Sequence, residues 1–139
     1  FEIPFSFMIR TPHKRKGNFK IGNGCSGWDA PSVTLDNTGD IEIGNDVIFT
    51  NEVIIYTHEH YMSRKSTIME QTKKNGVKIS HIKIGNDVYF GSRCMVMPSV
   101  TNIPTGTVIA AGAILTKNPT GEYEIWAGIP AKKIGERNE

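Results

Sequence analysis

Cysteine is scarce in this 139-residue chain, which has only Cys25 and Cys94. Two thiols without a paired spacing make neither a disulfide framework nor a cysteine zinc site, so reduced thiols in a cytoplasmic protein are expected. No apolar run approaches the roughly 18 residues of a membrane span, and membrane insertion is not expected. A strong charge of one sign is also missing. The 16 Lys and Arg residues against 14 Asp and Glu leave a formal net charge of +2, too little to suggest a nucleic-acid-binding domain. The opening FEIPFSFMIR has no basic segment ahead of an apolar one, so it is not expected to be a signal peptide. With 38% hydrophobic and 22% charged residues, the chain is expected to fold as a single domain over residues 1–139.

The apolar residues follow neither the 3.6-residue period of a helix nor the two-residue period of a strand. They recur in sixes. Ile43, Phe49 and Ile55 form one series, with Val47 and Val53 four positions behind its members. Ile84, Phe90 and Val96 resume it, trailed by Val88, Cys94 and Val100, and after one extra residue near Asn102 it runs on through Ile103, Ile109 and Leu115. The pentapeptide IGNDV stands at both Ile43 and Ile84, and an earlier IGNG begins at Ile21. Short strands joined by tight turns and stacked coil on coil give this pattern, because each strand buries its apolar residue only against the next. Glycine after the aliphatic residue suits a crowded bend, and the following Asn and Asp tolerate turn geometry by bonding their own backbone. Cys94 occupies an inward slot and is expected to pack.

Between the two IGNDV copies the count stops after IIYTHEH and restarts at IKIGNDV. Residues 61–81 have no apolar period and are expected to form an exposed excursion loop, a length that is usually functional in a compact domain. The excursion leaves the coil beside His58 and His60. Those histidines admit three roles: plain surface side chains, zinc ligands together with His81, or a general base whose ordinary pKa near 6.5 suits proton abstraction at neutral pH. At the other end, residues 129–139 leave the repeat, and Pro130 is expected to open a short C-terminal helix that caps the coil. The basic run Arg10–Lys16 is either a solvated turn or a docking patch for phosphates.

At these residues the sequence resembles the hexapeptide-repeat acetyltransferases, in the branch containing maltose, galactoside, xenobiotic and sugar O-acetyltransferases. The resemblance runs from Ile43 to Ile134. It implies an all-β fold, a left-handed parallel β-helix with one long excursion loop. It also implies a homotrimer with active sites between subunits, acetyl-CoA as co-substrate and no metal. The segment IGNDVIFTNEVIIYTHEH is similar to the family segment that ends in the catalytic histidine, which makes His60 the expected general base and His58 its alternate. Asn51 in that segment is a candidate for acceptor binding. IGNDVYFGS is similar to the stretch that contacts the pantetheine arm, implying donor contacts from Tyr89, in place of the family's tryptophan, and Ser92. IAAGAILTKN resembles the lining of the CoA channel and gives Ala111, Thr116 and Lys117 that role. AGIPAKKIG resembles the segment that reaches the nucleotide phosphates through Lys132; Gly135 replaces the usual later arginine, for which Lys133 or Arg137 would substitute.

The expected reaction is acetyl transfer from acetyl-CoA to a hydroxyl of a small-molecule sugar or saccharide. N-acetylation of an amino sugar or O-acetylation of an antibiotic is the alternative. A zinc enzyme like the γ-class carbonic anhydrases, which share the coil, and a non-enzymatic β-helix binding module are weaker rivals.

Overall fold

The computed structural model describes residues 7–10, 16–27 and 32–138. Most of the Arg10–Lys16 run lies outside these residues. In chain order the described elements begin with β1 (Phe7–Arg10), β2 (Phe19–Ile21), β3 (Val33–Asp36), β4 (Ile41–Ile43), β5 (Ile48–Phe49), β6 (Ile54–Ile55) and β7 (His58–Glu59). The helix α1 (Ile68–Asn75) and strand β8 (Lys78–Ile79) follow. The coil then resumes with β9 (Ile82–Ile84), β10 (Tyr89–Phe90), β11 (Met95–Val96), β12 (Asn102–Ile103), β13 (Val108–Ile109) and β14 (Ile114–Leu115). A hairpin of β15 (Glu124–Gly128) and β16 (Ala131–Glu136) ends it.

The strands assemble into a left-handed β-helix with three parallel faces, ordered β1-β3-β6-β11-β14, β5-β10-β13-β15 and β2-β4-β9-β12. The repeat sets the register. Ile43 pairs with Ile84 and Ile84 with Ile103, so the two IGNDV copies lie directly on top of each other although 41 residues separate them. Phe49 and Phe90 stack with centroids 4.9 Å apart and planes 6° from parallel, and Ile109 and Trp126 continue the column. Ile55, Val96 and Leu115 form a third column. All of these side chains are buried, and together they make the continuous interior that no single two-residue strand could supply. Cys94 packs among them, and burial pushes its thiol up to about 12.

The corners explain the wording of the repeat. Asn45 Oδ1 accepts the backbone N–H of Asn23 at 2.9 Å, and Asn86 Oδ1 accepts that of Asn45 at 2.8 Å. These asparagines therefore bond the adjacent coil, a different partner from the local backbone expected of a turn asparagine. Asp46 and Asp87 carry the left-handed turn at φ 59° and 52°. At Gly44 a Cβ would collide with the Asn86 side chain of the next coil, so this ladder requires glycine there.

Two expectations need correction. Pro130 starts no helix. Ile129 and Pro130 form the turn of a β-hairpin, and β16 returns antiparallel to β15. Backbone pairing thus covers the free edge of that face, meeting the need for which a helical cap was expected. Buried Glu124 fastens the hairpin. Burial would raise its carboxyl, but the Thr120 hydroxyl at 2.6 Å, Trp126 Nε1–H at 2.8 Å, the Thr120 N–H and nearby Lys133 bring it down to about 2.

The excursion is also more than a loop. Its base is clasped by β7 and β8, with His58 opposite Ile79 and Glu59 opposite Lys78. It carries α1, started by a capping box in which Thr67 Oγ1 accepts the Glu70 N–H while the Glu70 carboxylate accepts the Thr67 N–H at 2.9 Å. Buried Gln71 then ties the helix to the Ser63 and Ser66 carbonyls at 2.9 and 2.8 Å.

Candidate active site

The coil ejects the chain at β7, and His58 and His60 line one open depression of about 430 Å³ there. Tyr56, Glu59, Met62, Met95, Met97 and Pro98 complete its wall. Methionine, proline and tyrosine make most of that wall apolar, which strengthens any charge interaction at the imidazoles. The two rings meet edge to face at 6.2 Å.

Each ring is held through Nδ1. His58 Nδ1 lies 2.6 Å from Asp36 Oδ2, and Asp36 is only 4% exposed. The same carboxylate accepts the Thr38 hydroxyl at 2.6 Å and the Thr57 N–H at 2.9 Å. Burial alone would raise the Asp36 carboxyl, but the Thr38 hydroxyl, the Thr57 amide and His58 together hold it below its ordinary value. An ionised carboxylate only accepts, so in neutral His58 the proton sits on Nδ1 and Nε2 keeps its lone pair. His60 Nδ1 lies 3.0 Å from Thr72 Oγ1 on α1. That hydroxyl donates its one proton to the Ile68 carbonyl at 2.8 Å, so it accepts from Nδ1. In neutral His60 as well, Nε2 is then the basic nitrogen. Asp36 lay in a segment without a six-residue count and was missed by the sequence reading; alternation of Val33 and Leu35 was the available signal for the strand that presents it.

Asn51, Ser92 and Ala111 come together with Glu52, Arg93 and Gly112 around a second depression of about 590 Å³. They lie at successive corners of stacked coils. The Asn51 carbonyl accepts the Arg93 N–H at 2.7 Å, and the Ser92 carbonyl accepts that of Gly112 at 2.8 Å. Ser92 Oγ donates to Thr50 Oγ1 at 3.2 Å. A third depression, of about 410 Å³, shares Glu52 and Arg93 with this one and Met95 with the histidine site, so the three adjoin one another.

The other expected donor contacts lie outside these depressions. Tyr89 projects from the outer side of β10, paired with Ile48 and Val108. Thr116 is exposed, and its carbonyl accepts the Ser99 hydroxyl at 2.6 Å, one residue beyond pocket-lining Pro98. Lys117 Nζ stands 5.8 Å from the Trp126 ring centroid. Lys132 is exposed on β16. Of the two suggested substitutes for the missing arginine, Lys133 already pairs with Glu136 at 2.6 Å and Arg137 with Asp87 at 2.8 Å. His81 is drawn away from the histidine pair: its Nδ1 accepts the Asp40 N–H at 2.9 Å. Among the described residues no group of three or more His, Cys, Asp or Glu side chains is arranged to hold a metal ion. Among them, too, no helix is long and apolar enough to cross a membrane.

No protein-family model matches the chain. Over 109 residues it is 31% identical to the galactoside O-acetyltransferase of Escherichia coli K12, covering 78% of this chain and 50% of that enzyme. The chain therefore spans half the length of this curated relative. A maltose O-acetyltransferase from Clostridium difficile 630 superposes with a TM-score of 0.74 at 22% identity, over 99% of this chain and 70% of that one. A hexapeptide-repeat-containing acetyltransferase from Vibrio cholerae, complexed with acetyl coenzyme A, superposes with a TM-score of 0.79 at 17% identity, over 99% and 68%. Six-residue repeat, stacked three-faced coil and these likenesses agree: the chain has the left-handed β-helix fold of the hexapeptide-repeat acetyltransferases and is similar to them in sequence.

Proposed function

We propose that the protein transfers the acetyl group of acetyl-CoA to a hydroxyl group, with His60 as general base. The observation that carries this reading is the pinned tautomer of the histidine pair in one depression, Nδ1 bonded and Nε2 basic. His60 takes the catalytic role because it stands at the family's catalytic position. His58, braced by Asp36, is the alternate.

In the reaction, His60 Nε2 accepts the hydroxyl proton as the acceptor oxygen attacks the thioester carbonyl. The C–S bond then breaks, and the imidazolium returns the proton to the departing CoA sulfur. The donor's arm lies along the corners formed by Asn51, Ser92 and Ala111, with Tyr89 and Thr116 as outer contacts, and Lys117 and Lys132 supply phosphate-binding charge. Asn51 borders the acceptor as well. The active unit is a homotrimer in which a neighbouring subunit closes each site.

A sugar or saccharide is the first reading of the acceptor, in keeping with what the galactoside and maltose enzymes are named for. The methionine-rich wall favours a second reading, an acceptor with a broad apolar face such as an antibiotic alcohol. The test is thiol release from acetyl-CoA against sugars, amino sugars and antibiotics. His60→Ala is expected to lower turnover by roughly 10²–10⁴-fold, the usual contribution of a general base, with acetyl-CoA binding retained. Unchanged turnover in His60→Ala, with loss in His58→Ala, would move the role to His58.

A further inference from the structure

The charge of this chain is unevenly placed. Although the whole carries a formal +2, the excursion at 61–81 holds Arg64, Lys65, Lys73, Lys74 and Lys78 against one acid, Glu70. The cations are tied to the histidine site. Met62 forms part of its wall, and Arg64 and Lys65 follow almost at once. Thr72, bonded to His60, directly precedes Lys73 and Lys74 on α1. Lys78 faces Glu59, another wall residue, across the clasp at 3.7 Å. Glu70 is occupied by the Thr67 cap. Among the described residues no carboxylate forms an ion pair with Arg64, Lys65, Lys73 or Lys74, and all four are exposed. Lys73 and Lys74 also suit the negative end of the α1 dipole, but that explains nothing about Arg64, Lys65 or Lys78.

We propose that the excursion is a basic collar that selects an anionic acceptor, a hydroxyl compound bearing carboxylate or phosphate groups. The proposal rests on the acetyl-transfer reading for its purpose. Cations clustered at the mouth of a largely apolar cleft concentrate opposite charge there and speed encounter by about 10–10³-fold at low salt. The collar needs no rigid pairing for this, which fits long exposed side chains on the segment that leaves the site and returns to it.

The experiment uses three polymer probes, neutral dextran, polygalacturonate and inorganic polyphosphate, with binding measured by calorimetry at low and high salt. Modification of the histidines by diethyl pyrocarbonate, with and without polymer, reports whether binding shields the site. The anionic polymers are expected to bind, to slow modification, and to lose at least tenfold in affinity in the Arg64→Glu/Lys73→Glu/Lys74→Glu variant. Dextran is expected to do neither. A control carrying Lys14→Glu, Arg15→Glu and Lys16→Glu should keep both effects. Preference for polygalacturonate assigns carboxylates and preference for polyphosphate assigns phosphates; equal binding means the collar reads charge alone. The proposal is overturned if collar and control variants bind alike, if the histidines go unprotected, or if the collar variant changes the oligomeric state, which would make the patch a subunit contact. Acetyl-CoA stabilisation against heat, measured on the same proteins, tests the acetyl-transfer reading separately. Its failure beside intact polymer binding removes the reaction and leaves an anion-binding surface.

Discussion

The coils between Ile41 and Leu115 and the excursion they eject are held together in different ways. In the coils each strand contributes one or two buried apolar side chains, and each corner is bonded to the next. In residues 61–81 the one buried side chain is Gln71, a polar group held by three hydrogen bonds to backbone. Apolar burial makes stacked columns that change only at a large cost, whereas hydrogen-bonded surface segments open at low free energy. The coil therefore supplies a stiff platform, and the excursion supplies the movable side of the site. His60 stands at the junction, its backbone leaving the coil and its ring bonded to α1.

Substitutions on either side of the junction sharpen this contrast. Phe90→Ala removes the middle ring of a column flanked by Phe49 and Ile109, and should destabilise the whole domain by about 3–5 kcal/mol. Denaturant unfolding measures it, and a loss below about 1 kcal/mol would mean that the columns do not carry the fold. Glu124→Gln tests the coil's closed end. Because the folded carboxyl is depressed to about 2 from 4.5, its contribution is present above pH 4.5 and lost as the pH falls towards about 2. The melting temperature of the variant should lie below wild type at neutral pH and converge with it at about pH 2, whereas a constant gap would contradict the linkage. Thr67→Ala should produce the smallest change. It removes the α1 cap, at a cost of about 1 kcal/mol, and should speed amide exchange in 68–75 while leaving exchange in the coil unaltered. Accelerated exchange in both would show that the two regions open as one.

The legible and illegible parts of the sequence divide along the same line. Coil register could be read because Ile43, Ile84 and Ile103 face identical neighbours and so repeat identical constraints. The extra residue near Asn102 was equally visible, and consecutive corners there are indeed 19 residues apart at Asn86 and Thr105. The helix in the excursion left a fainter mark, the Thr67-x-x-Glu70 capping pair, with the helix's two apolar residues, Ile68 and Met69, inside the pair and none after it. Pro130 was ambiguous because its fixed φ serves a turn as well as a helix start. The histidines were visible as a spacing, but the atoms that fix their tautomers were not: Asp36 reaches His58 from 22 residues away and Thr72 reaches His60 from 12. Contacts of that kind follow from stacking and chain return, which no local pattern encodes.

The clasp between β7 and β8 has a consequence for how such a protein changes over evolutionary time. Ile84 stacks on Ile43, and His58 meets Ile79, whatever the chain does in between. Insertions, deletions or wholesale replacement of that detour need not re-thread the prism, so the segment beside the histidines is free to vary while the scaffold is inherited unaltered.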